Sequence, residues 1–119
     1  MGLDMGLSKK VIEDKELAYW RKANQIREWF SNNLEDFNDN GETKVAKEDL
    51  ENLIEVCREV SEDHNKASEL LPYSEGFFFG GTEYDEYYFE QIEETIEQIN
   101  SVLETTDWDK EEIYYWEWY

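Results

Sequence analysis

Apolar residues recur along the chain with a helical period in three places. From Lys15 to Leu34, "KELAYWRKANQIREWFSNNL", the positions Tyr19, Ala23, Ile26, Phe30 and Leu34 fall on one stripe and predict a first helix, with Trp20 and Trp29 flanking it. The polar run "NDNGET", Asn38 to Thr43, predicts the turn that closes this unit. A second helix is expected from about Lys47, where Glu48, Asp49 and Glu51 suit the positive end of the helix dipole. Its apolar face is Leu50, Leu53, Ile54, Cys57, Val60 and Leu71, and Pro72 is expected to end it. A third helix is expected from Glu83 to Glu104, carrying Tyr88, Ile92, Ile96, Ile99 and Leu103.

The two ends of the chain change period. "GLDMGLS" alternates Leu3, Met5 and Leu7, and "EIYYWEWY" mixes a β-branched residue with rings, so each reads as a strand. Two short strands without other partners are expected to pair, residues 1–8 antiparallel to residues 112–119, with the helices on one face. The predicted fold is therefore α+β, one domain over residues 1–119: three helices packed on a short antiparallel sheet formed by the N- and C-terminal strands. Between the second and third helices lies "GFFFGG", Gly76 to Gly81. There Phe77, Phe78 and Phe79 are expected to plug the gap between those helices, the glycines allowing a tight path.

Charge changes what this scaffold is expected to do. The formal net is −20, from 31 acids against 11 bases, yet 16% of the chain is aromatic, which argues against disorder. Up to Lys66 there are 16 acids and 10 bases; from Ala67 onward there are 15 acids and the single base Lys110, together with 14 of the 19 rings. That second part has no basic patch with which to hold phosphates, so direct binding to nucleic acid or to an anionic membrane is not expected. No apolar run is long enough to predict a membrane span, and the N-terminal residues lack the basic-then-apolar order of a signal peptide. With Cys57 as the lone cysteine, the expected location is a reducing cytoplasm.

Candidate chemistry is sparse. Cys57 and His64 are seven residues apart, which puts both on the core-facing stripe of the second helix but roughly 10 Å apart along its axis, too far to chelate one metal without carboxylates from elsewhere. There is no Gly-x-Ser-x-Gly and no glycine-rich phosphate loop, and carboxylates are too abundant for any pair to stand out as acid and base. Neither a catalytic residue nor a cofactor or metal site is assigned; a metal-dependent enzyme built on Cys57 and His64 is the third-ranked reading. The third helix carries a sharper pattern. With Ile92 at zero and about 100° per residue, its apolar stripe lies within roughly 60°. Glu83, Glu86, Glu90, Glu93, Glu94, Glu97 and Glu104 lie on the far side, with no lysine or arginine among them. Asp85 falls at about 20° on the same wheel, so an inward carboxylate is expected there. Its expected partner is Lys22 or Arg27 from the first helix, in a structural ion pair, with a first-turn capping role as the other reading.

"YWRKANQIREWF", Tyr19 to Phe30, followed by "LLPYSEGFFFGGTEYDEYY", Leu70 to Tyr88, resembles a family of small proteins encoded by phages and prophages, whose members commonly open with Met-Gly-Leu-Asp-Met as residues 1–5 do here. The resemblance covers most of the chain and implies a genomic context; it brings no catalytic residues with it. In that context the acidic row reads as an imitation of a phosphate backbone. The expected function is inhibition of a host defence nuclease, of the anti-CRISPR or anti-restriction kind. The partner would be a host protein with a basic nucleic-acid-binding surface, contacted by Glu83, Glu86, Glu90, Glu93, Glu94 and Glu97 and by Trp116 and Trp118. The alternative is an acidic structural or accessory phage protein without inhibitory activity.

Overall fold

A computed structural model describes residues 3–10, 15–73 and 84–119. In chain order the elements are β1 (Asp4–Lys10), β2 (Lys15–Arg21), α1 (Asn24–Asn33), β3 (Glu42–Val45), α2 (Lys47–Glu62), a 3₁₀ turn (His64–Lys66), α3 (Ala67–Leu70), α4 (Glu86–Thr105) and β4 (Glu112–Trp118). The strands form one antiparallel sheet in the order β2-β1-β4-β3. The two terminal strands are its centre, Asp4 opposite Trp118, Leu7 opposite Tyr115 and Lys10 opposite Glu112. Alternation decides which side chains enter the core. Leu3, Met5, Leu7, Ile113 and Tyr115 are buried beneath the helices, while Trp116 and Trp118 lie on the opposite face.

Both flanking strands correct the sequence reading. The segment Lys15–Leu34 is not one helix but a strand followed by a helix. Within β2, Ala18 and Trp20 are buried, whereas Tyr19, placed on the helical stripe, is 44% exposed on the sheet's outer face. The chain then turns at Lys22, whose φ of 55° lies in the left-handed region that breaks either regular element. The helical stripe holds from there on, with Ala23, Ile26, Phe30 and Leu34 buried. The physical reason is pairing. Centred between two neighbours, β1 has backbone donors and acceptors on both edges, and only a strand on its second edge satisfies them. On the other side, Gly41 ends the polar turn and β3 follows, pairing Thr43 with Tyr115 and Val45 with Ile113.

The second helix also ends early. α2 buries the expected Leu50, Leu53, Ile54, Cys57 and Val60 but stops at Glu62. Asp63 then accepts a bond from the backbone of Asn65 (3.1 Å), and the chain reaches buried Leu71 through the 3₁₀ turn and α3. At its start α2 keeps half a capping box: Asp49 accepts from the Ala46 N–H (2.8 Å), but alanine has no acceptor to return. The third predicted helix is α4, with Tyr88, Ile92 and Ile99 buried as the stripe requires and Ile96 and Leu103 half-buried. The "GFFFGG" segment lies outside the described residues.

One flank of α4 is polar and performs a task that periodicity does not show. Gln98 Oε1 accepts from the Tyr19 backbone N–H (2.8 Å), Gln91 Nε2 donates to the Arg21 carbonyl (3.3 Å), and Thr95 Oγ1 accepts from Trp20 Nε1 (2.8 Å). The helix therefore covers the exposed edge of β2 with side-chain donors and acceptors, which protects the edge from pairing with another chain. The centre of the core is aromatic. Phe30 stacks on Tyr115 with centroids 4.3 Å apart and meets the edges of Trp29 (5.5 Å) and Trp20 (6.1 Å).

On the outer face the Trp116 ring lies across Gly6. A Cβ at Gly6 would sit 2.5 Å from the Ala18 carbonyl oxygen and 2.6 Å from Trp116 Nε1. Since one of those atoms is backbone, Gly6→Ala is expected to destabilise the domain by about 1–3 kcal/mol in denaturant melts. Adding Trp116→Ala should recover only part of that loss. A Gly6→Ala protein as stable as its parent would mean that β1 and β2 are not in this register.

Candidate functional site

The acidic row survives in three dimensions. Glu86, Glu90, Glu93, Glu94, Glu97 and Glu104 are all exposed along α4, while Glu83 lies outside the described residues. α4 contains no lysine or arginine. The row borders an open groove of about 700 Å³ between the start of α4 and the turn after α2, with His64 and Phe89 among its walls. The two rings are stacked, centroids 3.7 Å apart and planes 9° apart. Ser61 of α2 donates a hydrogen bond to Glu93 and so fixes one carboxylate of the row.

The rings expected to join these acids are elsewhere. Trp116 and Trp118 belong to the outer face of the sheet, Trp118 68% exposed, two strands away from the edge that α4 covers. Tyr19 is the link between the two regions: its ring lies 6.1 Å from that of Trp116, and it lines a small pocket with Glu90 and Glu94. The acids and the C-terminal tryptophans therefore do not form one flat contact surface.

Asp85 corrects the electrostatic expectation. It is exposed, and its carboxylate accepts from the Tyr88 backbone N–H (3.1 Å) as the N-cap of α4. It makes no ion pair with Lys22, which sits in the turn before α1. Among the described residues the buried ion pair does use Arg27, one of the two expected cations, but its carboxylate is Glu117 and not Asp85. Arg27, placed at the edge of the α1 stripe, donates from Nε to Glu117 Oε1 (3.0 Å) and from Nη2 to Glu117 Oε2 (3.2 Å) and Asp39 (2.7 Å). The Glu117 carboxylate also accepts from the Asn40 backbone N–H (2.7 Å) and from the Tyr115 hydroxyl (2.8 Å). The signal was present in "EIYYWEWY": alternation puts Glu117 on the same face as Ile113 and Tyr115.

This network shifts several titrations. Burial pulls the Arg27 guanidinium down, but Glu117 and Asp39 outweigh it and the net shift is upward. A hydrogen bond donated by the Tyr119 hydroxyl holds Asp39 below the usual carboxylate range, and the same bond pushes Tyr119 up to about 12. Burial raises the phenols of Tyr115 and Tyr88.

Cys57 is fully buried in the core and its thiol is pushed up to about 12 by burial and the nearby Glu93, which leaves it un-ionised near neutrality. His64 is exposed, in the 3₁₀ turn and not on a core-facing helical stripe. Among the described residues no group of three or more His, Cys, Asp or Glu side chains could hold a metal ion, and no helix is long and apolar enough to cross a membrane. No family model matches the chain, and neither a curated protein nor a solved structure matches it.

Two outcomes follow from the charges. Glu117→Gln breaks a buried pair from one side and is expected to cost about 3–5 kcal/mol in equilibrium unfolding. Asp85→Asn, which keeps an N-cap acceptor, should cost less than about 0.5 kcal/mol, and Asp85→Ala about 1. An Asp85→Asn loss as large as that of Glu117→Gln would contradict the capping role. The second outcome is alkaline. The folded state favours the neutral Tyr119 phenol, so its contribution is complete below the ordinary value of 10.0 and is lost as pH rises through about 12. Denaturant midpoints should fall across that interval in step with phenolate absorbance, and Tyr119→Phe should flatten part of the fall. A midpoint that stays constant through it would rule out the Tyr119–Asp39 bond.

Proposed function

We propose that the chain is a phage-type interaction protein that docks through the acidic face of α4 onto the nucleic-acid-binding surface of a host protein, a defence nuclease of the kind countered by anti-CRISPR or anti-restriction inhibitors. The observation that carries this reading is the uninterrupted exposed row on α4. From Glu86 to Glu97 five carboxylates span roughly 16 Å of helix, one per 3–4 Å, close to the charge spacing of about 3.4 Å along one strand of DNA. Like-charge pairs at i, i+4, such as Glu86 with Glu90 and Glu90 with Glu94, each cost about 0.2–0.5 kcal/mol, a cost that an ordinary solvated helix relieves with interleaved lysines. Keeping them unrelieved favours a role for the row outside stability. The resemblance to phage-encoded proteins supports the same reading. Charge of one sign on one face steers a basic partner and speeds its association.

The surface that would make contact is centred on α4 and its groove, with Tyr19 at its margin; Trp116 and Trp118 face another direction and are left out of the docking area. The test uses the intact protein immobilised in bacterial lysate. A partner should be captured at low salt, released steeply as salt rises, and displaced by duplex DNA. Reversing Glu86, Glu90, Glu93 and Glu97 to lysine should abolish capture while leaving the melting temperature equal or slightly higher. A partner that binds the reversed variant equally well at every salt concentration would remove the mimic.

A further inference from the structure

The groove beside the acidic row has a feature that charge alone does not call for. We infer that it is an anchoring pocket for an arginine side chain of the partner, received on the stacked Phe89 and His64 rings and held by Glu86 and Glu93. The inference rests on the proposed docking of the α4 face and specifies its contact point. At about 700 Å³ the open groove has room for a side chain, and its lining among the described residues includes no lysine or arginine. Its wall is an aromatic stack: Phe89, half-buried and braced by the edge of Tyr88 at 4.9 Å, lies face to face with the exposed His64 ring. On the helix, Glu86 and Glu93 are three and four residues from Phe89, so they rise on the same side of α4 as the ring. Ser61 donates to Glu93 and orients that carboxylate from α2.

Rings and acids together distinguish cations. A guanidinium is flat, sheds water more readily than an ammonium, stacks on aromatic faces and offers a fork of donors that matches a carboxylate. A lysine ammonium gains the Coulombic attraction but neither the stacking nor the paired hydrogen bonds. An acidic surface without the rings would keep only the paired hydrogen bonds, and so a smaller preference for arginine.

The experiment is a titration of the intact protein with acetylated, amidated tetra-arginine and tetra-lysine peptides at physiological salt, followed by isothermal calorimetry and by the NMR signals of Phe89 and His64. Tetra-arginine is expected to bind at least about fivefold more tightly and to shift both ring signals. His64→Ala, a change at an exposed position, and Phe89→Leu, which keeps an apolar side chain in the half-buried site, should each reduce that preference. Glu86→Gln with Glu93→Gln should weaken both peptides. If the two peptides bind equally, or if the arginine preference survives both ring variants, the anchor is overturned. The acidic-face reading then stands or falls separately on whether the glutamine variants and the four-fold charge reversal weaken binding. If neither peptide binds and the charge-reversed protein still captures its partner, both are overturned.

Discussion

A carboxylate in the middle of a closed core must be fully satisfied or the fold fails, and Glu117 imposes that condition here. Taking an ion out of water costs several kcal/mol, and the low dielectric around it returns that only through close partners. Glu117 accepts four hydrogen bonds from three such partners: Arg27 on each oxygen, the Asn40 N–H and the Tyr115 hydroxyl. They come from three places in the chain, α1, the loop before β3, and β4 itself. Arg27 extends the tie by bonding Asp39, with its guanidinium 5.2 Å from the Phe37 ring and 6.0 Å from that of Tyr119. The pair also specifies register. A one-residue slip of β4 would carry Glu117 to the solvent face and turn Trp116 and Trp118 inward, leaving Arg27 with only the exposed Asp39 beside it. What the network provides is a single arrangement of β4 against α1, more than a large gain in stability.

Much of the architecture was legible because it rests on periods. Leu3, Met5 and Leu7 alternate, and so do Ile113 and Tyr115, which were the strands of the central pair. The stripes of α2 and α4 were legible for the same reason. The misreadings share a cause as well. In Lys15–Leu34 the apolar positions fit a helix throughout, while Ala18 and Trp20 also fit a strand; seven residues cannot decide between the two periods, and the unpaired edge of β1 decides instead. β3 has four residues, too few to display alternation. Asp85 was misplaced by carrying the α4 wheel past its end. An N-cap residue has extended backbone, here φ −102° and ψ −171°, so its side chain does not follow the helical phase. Asp63 breaks α2 in the same way and turns His64 out of the stripe.

The candidate site was legible in its charge but not in its geometry. A run of glutamates at helical spacing shows an acidic face wherever the helix lies, and α4 bears this out by exposing each described one. The groove was not legible, since it depends on the 3₁₀ turn that brings His64 against Phe89, a contact between residues 25 positions apart with no shared pattern. Nor could sequence show that Trp116 and Trp118 point away from α4, because that depends on which face of β4 the helices choose.

That choice also explains how a helix with so many unrelieved repulsions is held. α4 is fixed on two sides: its apolar stripe packs into the core beside α2, and its Gln91 and Gln98 side chains bond the backbone edge of β2 while Thr95 holds the Trp20 indole. Helical conformation there is maintained by tertiary burial and by the sheet's need for a covered edge, both independent of the acids. The glutamates can therefore be crowded onto the remaining face without risk to the fold. By the same logic, their spacing is set by a rigid support and would not have to be arranged on docking to the proposed partner. A disordered acidic segment of equal charge would lose conformational entropy on binding; α4 has already lost it during folding. The architecture thus separates the residues that determine stability, on two flanks of α4, from the residues available for recognition on the third.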